Sequence, residues 1–268
     1  MMEIASGESL NAACRAALKN LLSAIADTKL LLGYHYGEWT FGTPVLEASI
    51  ANCSLSQTEL GHVRLLHGIL KSHFDEDPER LLENRPPREM AGVEFLDRDL
   101  PDWAAVVAAT LVVDGALTLA LHSMRESAFL PVRNVVDKML EEERYHAHHG
   151  RGWFRALAGR GEAPRSTLKE RVEAALRSVE IWWGPEGEPE DALLVSEGIK
   201  SRSNSELASQ LRKDLAELAA ASGVELELEG TAQFDGWDPR TRRRGDSSVN
   251  EEILYHMRGS KNQIFKLT

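Results

Sequence analysis

Glu59 and His62 are three residues apart, and so are Glu143 and His146. On an α-helix, residues i and i+3 share a face, with about 5–6 Å between their Cβ atoms. A carboxylate and an imidazole so placed can share one metal ion. Two such helices, each beside a helix that donates a further carboxylate, can build a dimetal carboxylate centre inside a four-helix bundle. The plainer reading is two solvated helix faces that carry Glu and His, and motifs this short leave both readings open. Asp114 is a further candidate, because it is the one charged residue between Trp103 and Met124. A buried, unpaired aspartate must find a countercharge or take up a proton. A metal ion would supply that countercharge, and so would a Lys or Arg on another helix.

Long helices must hold these residues. Apolar positions near the 3.6-residue period predict a first helix from 9 to about 36, with Leu10, Ala17, Leu21 and Ile25 on its stripe. Thr43 is expected to cap a second helix with Pro44 in its first position, running to about 72. Residues 74–100 read as an irregular crossover with one short helix at 78–83, and Pro101 opens the third helix. The apolar run of 103–124 is about the 20 residues that span a bilayer. An aspartate near its centre costs about 2.5–3.5 kcal/mol on insertion scales, which favours a buried core helix and no membrane.

Leu130-Pro131 is expected to break the chain before a fourth helix at 132–157, with a turn at 159–164. A fifth helix is expected at 166–183 and a sixth at 189–222, broken near 201–205. Residues 224–228 alternate like a short strand, and 250–256 read as a short helix. The fold class is therefore all-α: a four-helix bundle over 1–223 with added C-terminal helices, and an extension over 224–268. The apolar faces of 104–121 and of the fifth helix exceed what one bundle core needs, which predicts a subunit interface there.

A net charge of −11 argues against a nucleic-acid backbone as partner. Cys14 and Cys53 read as small core residues of a reducing cytoplasm. Residues 1–12 carry Glu3 and Glu8 and no basic stretch before an apolar run, so no signal peptide is expected. His148 and His149 point about 100° apart, and His149 lies one turn from His146. Both read as surface or boundary histidines, as do His35 and His122. Trp182-Trp183 reads as helix-end packing.

Trp39, the Pro44 helix start, Glu59-Leu60-Gly61-His62, Val113-Asp114-Gly115-Ala116 and Glu142-Glu143-x-x-His146 occur in one order and spacing. In this the chain resembles the phenylacetic acid catabolic proteins, the oxygenase subunits of phenylacetyl-CoA epoxidase, over most of its length. Trp237-Asp238-Pro239 and the basic run behind it resemble the family's non-catalytic subunit, whereas the metal motifs resemble its catalytic one. The resemblance implies a ferritin-like bundle and metal roles for Glu59, His62, Asp114, Glu143 and His146, with iron as the metal. It also implies a homologous subunit or a second copy as partner, a separate reductase and an aromatic acyl-CoA substrate. No Gly-rich dinucleotide fingerprint or Cys cluster supplies electrons from within the chain.

Among the family's catalytic members, a first-helix Glu completes the ligand set. Counting back from Trp39 places Lys29 there, and a protonated lysine offers no ligand. Asp27 lies about 200° around the helix from Lys29, and Glu38 falls past the helix end. Three carboxylates and one ammonium balance one divalent ion, or none, better than two. Two functions follow as alternatives. One is a di-iron or single-metal oxygenase that inserts oxygen from O2 into an aromatic acyl-CoA. The other is a non-catalytic partner subunit in which Lys29 replaces a metal.

Overall fold

A computed structural model describes residues 3–229 and 232–259. Met1, Met2, and Gly230, Thr231 and 260–268 of the expected C-terminal extension lie outside the described residues. The fold is all-α and ferritin-like. α1 (Ala12–Glu38) is capped by the Asn11 side chain, which accepts from the Cys14 amide. α2 (Leu46–Phe74) begins three residues after Thr43. The Thr43 hydroxyl does not cap it, because it bonds the Val45 carbonyl and the Ser49 hydroxyl instead. α1 and α2 approach closely at Gly33, where a Cβ would lie 3.2 Å from Leu60 Cγ and 3.3 Å from Glu59 Cβ. That contact sets Lys29 of α1 opposite Glu59 of α2.

α3 (Trp103–Ser123) is capped by Asp102, one residue after the Pro101 expected to open it. It contains a π-helical stretch, Ala109–Val113, just before Asp114. α3 is long and apolar enough to cross a membrane, but most of it is buried inside the fold. Gly150 of the next helix packs on that stretch, where a Cβ would meet Thr110 Cγ2 at 3.3 Å.

α4 (Leu130–Ala158) and α5 (Glu162–Trp183) both start earlier than expected. Pro131 and Pro164 sit in their first turns, where a missing N–H leaves no hydrogen bond unmade, so neither proline is a boundary. α6 (Pro189–Ser196) and α7 (Asn204–Ser222) are separated at the expected break, and Ser203 and Glu206 form a capping box for α7.

Residues 224–228 form no strand, and the Glu227 amide bonds Glu173 of α5 instead. A two-residue ribbon pairs β1 (Trp237–Asp238) with β2 (Arg243–Arg244). The buried Arg243 donates to the Met90 and Gly92 carbonyls and pairs with Asp97, tying the C-terminal region to the crossover. α8 (Glu251–Met257) is capped by Asn250. In the crossover, the short helix expected at 78–83 is present over 78–84, with Arg80–Asn84 in π-helical form.

Three expectations fail on burial, one of them His35, which lies in the core and not at a surface or boundary. Cys14 is buried but Cys53 is exposed, because Cys53 sits on the outer side of α2. The apolar faces of α3 and α5 are not an outer surface. Val106, Val112 and Leu117 of α3 and Leu168, Val172 and Val179 of α5 belong to the core, since the added helices cover them. The large exposed apolar side chains include Phe41, Leu46 and Ile50, at the junction of α1 and α2.

Candidate functional site: a lysine among carboxylates

Four helices bring Lys29, Glu59, His62, Asp114, Glu143 and His146 to one buried point, all of them within 2% of fully buried. α1 gives Lys29, α2 gives Glu59 and His62, α3 gives Asp114, and α4 gives Glu143 and His146. Lys29 Nζ lies 2.9 Å from Glu59 Oε2, 2.5 Å from Glu143 Oε1 and 3.5 Å from Asp114 Oδ1. His146 Nδ1 lies 2.7 Å from Asp114 Oδ2 and 3.3 Å from Glu59 Oε1.

His62 sits at the edge. Its Nε2 bonds Glu142 at 2.7 Å, and its Nδ1 lies 3.3 Å from Glu143 Oε1. A histidine held at Nε2 by a carboxylate is oriented to offer Nδ1 inward. Neither His62 Nδ1 nor Glu59 Oε1 completes a hydrogen bond of good geometry.

Burial and charge compete at each group. Burial by itself pushes Lys29 down, but Glu143, Glu59 and Asp114 hold it above the ordinary lysine value. Burial likewise pushes His146 down, and its contacts with Asp114 and Glu59 hold it up to about 11. Burial would raise Glu143, and Lys29, His62 and His146 hold it well below the usual carboxylate range. Asp114 is pushed up to about 7 by burial and by Glu143 and Glu59, against Lys29 and His146. Two cations therefore face three carboxylates, one of which takes up a proton near neutrality.

Glu59, Asp114, Glu143 and His146 offer ligand atoms within 4.8 Å of one another, so the cluster could hold a metal ion by donor type and spacing. Lys29 Nζ already touches three of those four residues, Glu59, Asp114 and Glu143, so the ammonium competes with an ion for the same carboxylates. The residues as they stand do not fit two ions.

Three participants were not read from the sequence. Thr118 Oγ1 donates to Glu143 at 3.1 Å and lies four residues after Asp114 on the same helix face. Tyr36 Oη lies 3.5 Å from Asp114 Oδ2, two turns beyond Lys29. Glu142 stands inside the second motif and serves His62. Asp27 faces away from the site, paired with Arg85 and accepting from the Ala91 amide. His35 bonds the Leu96 carbonyl in the core. His148 is exposed, and His149 packs on Trp103 and Trp153. Trp182 is packing, with its Nε1 on the Ala91 carbonyl.

A bundle that gathers three carboxylates and two histidines from three helices, with a lysine from a fourth, defines a ferritin-like carboxylate protein. The profile of the Phenylacetic acid catabolic protein family matches residues 1–242, and the chain belongs to that family. It is similar to one of the subunits of the 1,2-phenylacetyl-CoA epoxidase of Escherichia coli (strain K12). Identity is 22% over 177 residues, which cover 65% of this chain and 70% of that protein.

Proposed function

We propose that this chain is a non-catalytic subunit of a multicomponent oxygenase of the phenylacetyl-CoA epoxidase type, working in the cytoplasm. One observation carries the reading: the Lys29 ammonium lies among the three carboxylates that would otherwise hold a metal. The cluster then stabilises the bundle, and oxygen chemistry and electrons from a reductase belong to a homologous partner. The relative is itself named as a subunit of an epoxidase, which supports a place in an assembly. Phe41, Leu46 and Ile50 are exposed and apolar, which supports association through the α1–α2 end, away from the faces expected from sequence.

The second reading, an iron oxygenase acting on an aromatic acyl-CoA, has its own supporting observation. A cavity of about 260 Å³ reaches Asp114, Glu143 and His146. Iron stoichiometry and melting temperature, with and without chelator, separate the two readings in wild type and Lys29→Glu. We expect wild type without stoichiometric iron and indifferent to chelator. Lys29→Glu adds a carboxylate at the place of the missing ligand, and its stability should become iron-dependent. Two irons in the wild type, with neither quantity changed in Lys29→Glu, would overturn the proposal.

A further inference from the structure

The cavity beside the cluster has walls, a rim and a floor of different chemistry. Leu111 of α3, Leu140 of α4 and Leu211 and Leu215 of α7 form apolar walls. Arg144 and Arg151 stand on the α4 side, seven residues and therefore about two turns apart on one face. Both are exposed, and neither has an ion pair or side-chain hydrogen bond among the described residues. Two other arginines near the added helices are engaged, Arg171 by Asp102 and Arg212 by Glu180. In a chain of net charge −11, two unpaired guanidinium groups beside a leucine-walled cavity make a local site for negative charge.

The floor argues against a cation. Glu143 is already taken by Lys29 and Thr118, and Asp114 by His146 and Lys29. Asp214, which also lines the cavity, accepts from Gln210 at 2.8 Å. The π-helical stretch adds an independent observation. Thr110 and Leu111 belong to it and line the cavity, and such insertions in helices are frequent at functional sites.

We propose that this cavity binds a small amphipathic anion, with its apolar tail along the leucines and its acid head between Arg144 and Arg151. Size limits the ligand. Cavities of about 150 Å³ accept benzene, and pockets for drug-sized ligands run from about 300 Å³ upward. A volume of about 260 Å³ therefore suits one ring or one short chain. The head stays at the rim, because a carboxylate driven to the floor would meet Glu143 without a free donor. The site needs no metal and stands apart from whether Lys29 excludes iron.

Calorimetric titration of the full chain in chelator tests this with octanoate as the probe, beside octan-1-ol and octylamine. Octanoate should bind once per chain, and both controls at least about tenfold more weakly. The double variant Arg144→Glu, Arg151→Glu changes exposed side chains and should melt as wild type does. It should weaken octanoate by about tenfold or more and leave octan-1-ol unchanged. Leu215→Trp, which fills the cavity, should weaken both. No saturable octanoate binding, equal affinity for octan-1-ol, or octanoate binding unmoved by the double variant would each overturn the proposal. None of these outcomes bears on the iron content that tests Lys29.

Discussion

Lys29 and Lys200 are both buried, at 0% and 2% exposure, yet their surroundings push them in opposite directions. Lys29 is held above the ordinary lysine value by three carboxylates that outweigh its burial. Lys200 is lowered by burial, which its partner Asp191 only partly offsets and which Arg242 reinforces. Lys200 Nζ pairs with Asp191 and bonds Asn204 Oδ1 at 2.6 Å, holding the break between α6 and α7. The number of facing carboxylates, and not burial alone, separates a counterion from a staple.

Removing each lysine gives the sharpest test of that difference. Lys29→Met leaves Glu59, Asp114 and Glu143 buried with His146 as the remaining close cation. Breaking a buried ion pair from one side costs about 3–5 kcal/mol, and we expect that loss in urea unfolding at neutral pH. Lys200→Met leaves a single carboxylate, and the Asn204 amide still donates to Asp191 at 2.7 Å. The expected cost is about 1–3 kcal/mol, that of one under-satisfied buried group. Equal losses in the two variants would break the comparison.

Much of the cluster was legible in the sequence, for a physical reason. The i, i+3 spacing of Glu59 with His62 and of Glu143 with His146 fixes a shared helix face. A lone aspartate inside the α3 apolar run must turn toward other charge. Counting along α1 from Trp39 reached Lys29, because helical rise is regular. Less was legible where local sequence does not decide. Pro131 and Pro164 look like breaks, but a helix accepts proline in its first turn. The π-helical stretch Ala109–Val113 reads as ordinary helix, since an apolar run carries no local signal for the one-residue widening, and only the fold shows Gly150 packed against it. The α3 and α5 faces looked like an interface because only the folded chain brings the added helices over them. Cys53 resembled a core residue because composition does not say which side of α2 faces outward.

The pH dependence of stability sharpens the comparison further. His146 is raised from 6.5 to about 11, so its contribution is fully present below 6.5 and is lost as pH rises through 11. Asp114 is raised from 3.8 to about 7, so the folded state holds an extra proton and stability falls across that interval. Glu143 is depressed below 4.5, and its contribution is lost as pH falls beneath that value. Lys200 is lowered from 10.5, so it adds stability as pH climbs toward 10.5. Melting temperature should therefore decline from neutral to alkaline pH in the wild type. His146→Gln should flatten that decline, and Lys200→Met should steepen it. Parallel curves for all three proteins would show that these groups do not titrate as their surroundings dictate.

The smallest expected effect lies at the surface and shows that distance is not energy. Arg125 and Asp137 pair at 2.7 Å, shorter than the 2.9 Å between Lys29 and Glu59. Their side chains are 56% and 66% exposed, so water competes for both ends and salt screens what remains. Exposed pairs of this kind contribute about 0–1 kcal/mol. Arg125→Ala should therefore cost less than about 1 kcal/mol in the unfolding assay that detects Lys29→Met. At about 1 M salt the screening length is near 3 Å, and the Arg125→Ala difference should vanish. The Lys29→Met difference should persist there, because mobile ions do not enter the bundle centre. A salt-sensitive Lys29→Met loss would mean that solvent reaches the cluster, and the contrast between buried and exposed pairs would then fail at its centre.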